Sequence, residues 1–204
     1  MLSGPFHKQQ MRILPGTPYN KQQRAAFFLA AITAALLLLA GCARAFQQNA
    51  AWHNDPQADD GRTEELTGIL STLAAPAARQ EAALLARTAI DYSRQLAEKY
   101  RVFASPHLHN ILVNTGFREK GLCYQWADEL LTHLKSLELR SFDLHEAAAG
   151  QGTWREHNAV VVTGKGGNFA EGIVLDAWRQ GGRLYWIPVQ DDTYQWLPRK
   201  LVVR

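Results

Sequence analysis

The chain has 204 residues, of which 22 are Lys or Arg and 19 are Asp or Glu, so its formal net charge is +3. Four of the basic residues lie in the first 41 positions, where no acidic residue occurs, and the other 18 are balanced by the 19 acids. The basic excess therefore belongs to the amino-terminal segment. Because no basic stripe interleaved with aromatic residues is present, the sequence argues against a nucleic-acid-binding protein.

The first 41 residues have the layout of an export signal. Basic residues are followed by a short apolar run over residues 25–40, AAFFLAAITAALLLLA. This run of 16 residues is shorter than the roughly 20 that a membrane-spanning helix needs. We therefore expect residues 1–41 to be a signal peptide.

A short motif follows the apolar run directly, Leu39-Ala40-Gly41-Cys42. It resembles the bacterial lipobox, at which a lipoprotein signal is cleaved before a cysteine that then carries acyl chains. The resemblance implies lipidation at Cys42 and a membrane anchor in which each buried methylene contributes about 0.8 kcal/mol. The absence of Asp at position 43 implies, by the same resemblance, the periplasmic face of the outer membrane in a bacterial cell envelope. The alternative is an ordinary secretory signal with an incidental cysteine.

A mature chain starting at Cys42 has 163 residues, enough for one domain with a single core. Residues 42–62 are mostly polar, which predicts a tether between the lipid and the domain. Thr63 is followed by two acidic residues and predicts a helix start with a capping hydroxyl. The folded domain is accordingly expected over residues 63–204.

Two longer helices are predicted over residues 77–100 and 122–139, because apolar residues recur there at helical spacing. Their apolar faces are formed by Leu85, Ala89, Tyr92, Leu96 and Tyr100 in the first, and by Leu122, Trp126, Leu130, Leu134 and Leu137 in the second. The stretch between them, residues 102–120, is predicted to be irregular.

Beyond residue 139 the pattern changes from helices to strands. Apolar and β-branched residues cover positions 159–163 (AVVVT), 173–178 (IVLDAW) and 183–189 (RLYWIPV), with glycine-rich turns between them. Helices followed by hairpin-connected strands are typical of an α+β domain in which N-terminal helices pack on an antiparallel sheet.

Three residues with reactive or ionisable side chains lie at the ends or in the interior of these predicted helices and strands. Cys123 lies at a helix start, where unpaired N–H groups and the helix dipole favour the thiolate, the nucleophilic form of cysteine. His157 precedes the first predicted strand, and Asp176 interrupts an apolar one, where an acid needs a partner. A hairpin symmetric about Gly166 and Gly167 would set His157 opposite Asp176, about 5 Å apart at Cβ.

A cysteine, a histidine and an acid in that arrangement can act as nucleophile, base and orienting group. In this scheme the backbone N–H of Cys123 is the expected donor to the oxyanion that forms during acyl transfer. The simpler interpretation of a single thiol is a buried apolar residue. Outside the cytoplasm, however, an unpaired thiol is exposed to oxidation, which favours a functional role.

Three segments together resemble the transglutaminase-like superfamily: GLCYQWA at 121–127, EHNAV at 156–160 and VLD at 174–176. The resemblance covers roughly residues 116–178 and implies a papain-like core with a catalytic triad of Cys123, His157 and Asp176. It further implies a thiol hydrolase that cleaves an amide or peptide bond through an acyl-thioester on Cys123. The alternatives are a protein acyl transferase with the same triad and a non-catalytic envelope lipoprotein that uses the fold for binding.

The expected partners are a peptide or protein substrate of the cell envelope and the membrane that receives the anchor. We predict neither a cofactor nor a metal. His107 and His109 form the only close histidine pair, and they lack the second thiol or the HExxH pattern of a zinc site.

Overall fold

A computed structural model describes residues 56–102 and 105–199, together with Ala30, Ile32 and Thr33, which are helical. The chain divides into two units, Met1–Arg44 and Ala45–Arg204, and the domain described below belongs to the second. Apart from those three residues, the predicted signal peptide lies outside the described residues, as do the lipidation site Cys42 and the tether up to residue 55. No helix within the described ranges has the length and apolar character needed to cross a bilayer.

In the described part of the domain, four α-helices precede a sheet. They are α1 (Pro56–Ser71), α2 (Arg79–Lys99), α3 (Pro106–Asn114) and α4 (Cys123–Lys135). The helices predicted over residues 77–100 and 122–139 are confirmed as α2 and α4. The expected faces are largely buried, since Leu85, Leu96, Trp126 and Leu130 are each at most 1% exposed.

Helix α1 begins at Pro56, so the prediction of a helix start at Thr63 is wrong and residues 56–62 of the predicted tether are helical. The Thr63 hydroxyl, expected to cap the helix, instead donates to the carbonyl oxygen of Asp59 at 2.7 Å. The Asp59 carboxylate pairs with Arg94 of α2 at 2.7 Å. A contact between helices thus stabilises a first turn that is polar in sequence.

Helix α3 lies in the stretch that was expected to be irregular. Its cap is Ser105, whose hydroxyl accepts a hydrogen bond from the backbone N–H of Leu108 at 3.4 Å, and Pro106 occupies the first helical position. Both are favourable at a helix start, because the side-chain oxygen satisfies an unpaired N–H and proline lacks one. The Ser-Pro pair is therefore the start signal that the prediction overlooked.

Five antiparallel strands form one sheet within the described residues, in the order β4-β3-β2-β1-β5. They are β1 (Phe142–Ala149), β2 (His157–Gly164), β3 (Ile173–Asp176), β4 (Tyr185–Pro188) and β5 (Leu197–Pro198). Strands β2, β3 and β4 confirm the three predicted ones, and the α+β class with an antiparallel sheet is confirmed. Strand β1 has no counterpart in the prediction, because it ends in three alanines, a residue depleted in strands.

The sheet is covered on both faces at its centre. Alternate residues of β2 divide between two apolar clusters: Val160 and Val162 pack with α2 and α4, whereas Ala159 and Val161 pack with Val174 and Trp196. This burial on both sides explains why β2 is apolar at successive positions instead of alternating.

Candidate active site

Side chains of the first turn of α4 hold the segment that leads into Cys123. The side-chain oxygen Oε1 of Gln125 accepts from the backbone N–H groups of Gly121 at 2.7 Å and Leu122 at 3.0 Å. The indole N–H of Trp126 donates to the carbonyl oxygen of Gly121 at 3.0 Å. Cys123 is thereby fixed as the first residue of the helix, with a half-buried thiol.

Gly121 allows α3 to pack directly against this segment. Its φ of +126° is in the region that only glycine adopts without strain, and a Cβ placed there would lie 2.2 Å from Nε2 of His109. The same nitrogen donates to the carbonyl oxygen of Lys120 at 2.9 Å. His109, half of the histidine pair noted in the sequence, is therefore a buried packing residue that supports the approach to Cys123.

Replacing Gly121 by alanine is expected to lower the free energy of unfolding by more than the roughly 1–3 kcal/mol that backbone strain alone contributes. The added methyl group would collide with the imidazole of His109 in addition to straining the backbone. Gly116→Ala is the matched control, because its φ is +80° and nothing lies within 4 Å of the added Cβ. Urea denaturation of both variants would measure the difference, and equal losses would contradict a role for the His109 contact.

His157 and Asp176 meet on one face of the sheet, but in a different register from the one predicted. Strand β2 sets Val160 opposite Leu175, whereas a turn centred on Gly166 and Gly167 would set it opposite Ile173. The connection contains an extra helical turn over Phe169–Glu171, which moves the centre of the hairpin. Because the register changes by two residues, the face is preserved.

The imidazole Nε2 of His157 donates to Oδ2 of Asp176 at 2.6 Å, and the two residues are 3% and 1% exposed. Nε2 is engaged by the acid, so Nδ1 is the ring nitrogen that remains, and the Cys123 side chain is close enough to raise the pKa of the imidazole. The Cys123 thiol also donates to the carbonyl oxygen of Glu156 at 3.6 Å. The fold therefore brings together all three residues that the sequence predicts for the site.

The electrostatics of this group favour a protonated His157. Burial lowers the pKa of the imidazole, but the hydrogen bonds and charges of Asp176 and Cys123 outweigh burial and raise the pKa to about 9. The ring is therefore an imidazolium at neutral pH, with one N–H directed to the carboxylate and the other available to the sulfur. Such a pair can supply a thiolate nucleophile and a proton donor at once.

A pH dependence of stability follows from this shift. The pKa of His157 rises from 6.5 to about 9 on folding, so its contribution is fully present below pH 6.5 and is lost as the pH rises through 9. We expect the free energy of unfolding to fall by on the order of 3 kcal/mol between about pH 6 and about pH 9.5. Urea denaturation would measure it, and a His157→Gln variant that loses as much stability over this range would contradict the assignment.

Three aromatic rings surround the imidazole of His157. The ring centroids of Trp178, Tyr194 and Trp196 lie 4.9, 4.8 and 5.4 Å from that of His157. The indole N–H of Trp178 donates to Oδ1 of Asn110 on α3 at 3.1 Å. Tyr194 and Trp196, which come from the segment beyond β4, thereby restrict the orientation of the imidazole.

Asp176 is held by the residues that follow it. Its Oδ1 accepts from the backbone N–H groups of Trp178 at 3.1 Å and Arg179 at 2.9 Å, and its Oδ2 accepts from Nε of Arg179 at 2.9 Å. The other guanidinium nitrogens donate to both carboxylate oxygens of Asp192, at 3.1 and 2.7 Å. Burial alone would raise the pKa of Asp192, but the hydrogen bonds from Arg179 and Trp196 hold it below its usual value.

No family model, curated protein or solved structure matches the chain.

Arg179 and Asp192 are the site residues that the sequence did not indicate. Arg179 lies three residues after Asp176, just beyond the end of β3. At this spacing its side chain can reach back to the carboxylate of Asp176. Asp192 lies beyond β4 in the exposed-looking sequence QDDTYQ, and only the fold brings it to Arg179. Within the described ranges, no group of three or more His, Cys, Asp and Glu residues is placed to hold a metal ion.

Proposed function

We propose that this protein is a transglutaminase-like, papain-like cysteine hydrolase that cleaves an amide or peptide bond in a cell-envelope peptide or protein. The observation that carries the proposal is the buried pair of His157 and Asp176, in which Nε2 of His157 lies 2.6 Å from the carboxylate, with the half-buried Cys123 thiol close enough to raise the pKa of the imidazole. A cysteine at a helix start, a histidine at the start of a strand and an acid on the neighbouring strand supply nucleophile, base and orienting group.

In the proposed reaction, the Cys123 thiolate attacks the carbonyl carbon of the substrate and forms a C–S bond. The backbone N–H of Cys123 donates to the oxyanion of the tetrahedral intermediate. The imidazolium of His157 gives its Nδ1 proton to the departing amine as the C–N bond breaks, leaving an acyl-thioester. Water then attacks the thioester while His157 takes a proton from it, which releases a carboxylic acid and restores the thiolate and imidazolium.

The test uses cell-envelope proteins as candidate substrates in water enriched in ¹⁸O, with a labelled primary amine added. A hydrolase creates new carboxyl termini that carry ¹⁸O, whereas an acyl transferase creates products that carry the amine. Mass spectrometry distinguishes the two, and Cys123→Ala is the control that should yield neither. If that variant forms the same products, or if the native protein forms none, the hydrolase proposal is contradicted.

We further propose that the protein is a lipoprotein anchored through Cys42 to the periplasmic face of the outer membrane. The support is the sequence alone: an apolar run followed by Leu39-Ala40-Gly41-Cys42 and then Ala43. Metabolic labelling with a palmitate analogue in a bacterial host should label the native chain and leave Cys42→Ala unlabelled. Fractionation of the envelope should recover the label in the outer membrane, and recovery in the inner membrane would overturn the assignment.

A further inference from the structure

Asn158 presents a buried amide to the reactive sulfur from the strand that carries His157. Successive residues of a strand point to opposite faces, so the side chain after His157 is directed toward α4 and Cys123. Asn158 is 2% exposed, and its Nδ2 donates to Sγ of Cys123 at 3.8 Å. The sulfur therefore contacts a carboxamide that comes from the strand position directly after His157.

The orientation of this amide is set by Glu156. Nδ2 of Asn158 donates to Oε1 of Glu156 at 3.2 Å, and an ionised carboxylate only accepts hydrogen bonds, so the NH₂ end must face it. Glu156 is itself held, because its Oε2 accepts from the backbone N–H of Gly152 at 2.8 Å. The second N–H of the same nitrogen is then the one directed at the sulfur.

Packing does not explain an asparagine at this position. Its Oδ1 is buried without a hydrogen-bond partner among the described residues. An unsatisfied buried acceptor lowers stability, and an apolar side chain of the same size avoids that loss. A polar residue that weakens the fold beside a reactive atom is typical of a functional site.

We propose that Asn158 is a further catalytic residue, whose carboxamide N–H stabilises the Cys123 thiolate, and that Glu156 is the positioning residue that orients it. The inference rests on the proposed function. In the thiol form, Sγ donates to the Glu156 carbonyl oxygen. Once the proton is lost that bond ends, and the amide N–H and His157 remain as donors to a charged sulfur, where hydrogen bonds are strongest.

The hydrogen bond from the Asn158 amide to the Cys123 sulfur acts twice in each catalytic cycle. It favours the thiolate before attack, and it stabilises the thiolate again when water expels it from the acyl-thioester. Attack transfers the negative charge from sulfur to the carbonyl oxygen, so the N–H contributes least to the tetrahedral intermediate. Loss of the amide is therefore expected to slow both formation of the reactive sulfur and breakdown of the thioester.

The test is the pH dependence of iodoacetamide alkylation of Cys123 in the full chain, between about pH 4 and about pH 9, with the site of labelling identified by peptide mapping. Asn158→Leu keeps the volume and removes the N–H, and Asn158→Asp keeps the shape and adds a negative charge. We expect the midpoint of the rate profile to rise by about one pH unit in the first and further in the second. Asn114→Asp, an exposed asparagine on α3, is the matched control and should leave the midpoint unchanged.

A purely structural role would lower the unfolding midpoint of the Asn158 variants without moving the alkylation profile, and that result would overturn the inference. If Asn158→Leu does not fold, Asn158→Ala decides the matter, because it removes the same N–H without the negative charge that Asn158→Asp adds. The native protein and His157→Ala, measured in the same series, report on the proposed function alone. A native profile that His157→Ala does not alter would contradict the triad, whereas an unshifted Asn158→Asp beside a shifted His157→Ala would contradict only the role of Asn158.

Discussion

Replacement of His157 by alanine is expected to slow the alkylation of Cys123 at neutral pH by a factor on the order of 30. An ordinary cysteine is only a few per cent thiolate at pH 7, and an adjacent imidazolium both favours the reactive form of the sulfur and can donate a proton. The imidazolium is present because Asp176 and Cys123 raise the pKa of His157 to about 9. The measurement is the second-order rate of iodoacetamide labelling at Cys123, read by mass spectrometry.

The control for this prediction is His145→Ala. His145 lies on β1, where its Nε2 is 2.9 Å from the hydroxyl of Thr163, and it is not one of the described hydrogen-bond partners of Cys123. Its removal should leave the labelling rate within about twofold of the native value, since it supplies no charge to the sulfur. Equal labelling rates in the native protein and in His157→Ala would show that the thiol is not activated by the imidazole.

Replacement of Arg179 by leucine is expected to lower the free energy of unfolding by about 3–5 kcal/mol, the range measured when one partner of a buried ion pair is removed. The guanidinium lies between two carboxylates, and the side chains of Asp176 and Asp192 are 0% and 1% exposed. Without the cation, both acids stay buried, and Asp192 keeps only neutral donors, among them Tyr194 and Trp196. Asp176 loses one of its two cationic partners. Urea denaturation near neutral pH gives the change directly.

Arg183→Leu is the matched control, because Arg183 is exposed in the loop between β3 and β4. A surface substitution of this kind is expected to change stability by no more than about 0.5 kcal/mol. The double variant Arg179→Leu/Asp192→Leu should recover part of the lost free energy of unfolding, because it removes one of the two carboxylates that lack their cation. A single-variant loss no larger than that of the control would mean that Arg179 does not hold the acid of the site.

The elements that carry the site were predictable because their patterns are local. Helices α2 and α4 follow from apolar residues at helical spacing, and β2 from a run of β-branched residues. The face shared by His157 and Asp176 also follows from sequence, since it depends only on whether the register is odd or even. The exact pairing of the two strands does not follow from sequence. The connection between them contains a helical turn over Phe169–Glu171, which shifts the pairing and which no local sequence pattern predicts.

The parts that sequence reasoning missed depend on contacts between distant segments. The first turn of α1 is stabilised by an ion pair from Asp59 to Arg94, and Asp192 gains its role only when β4 carries it to Arg179. Charged residues in polar stretches are usually solvated, so their sequence positions carry no such information. Strand β1 could not be predicted for a different reason. Its alanines have little intrinsic preference for strands and adopt strand geometry because they pair with β2.

The order of the strands has a consequence for how the molecules behave toward one another. The apolar strand β2 lies at the centre, and the strands at the two edges, β4 and β5, are only four and two residues long. Each edge strand ends in a proline, Pro188 and Pro198, which has no N–H to offer to a further strand. Within the described residues, these two short edge strands therefore offer few free N–H groups for intermolecular β-pairing, and growth of the sheet from β4 or β5 of one molecule to the next should be limited.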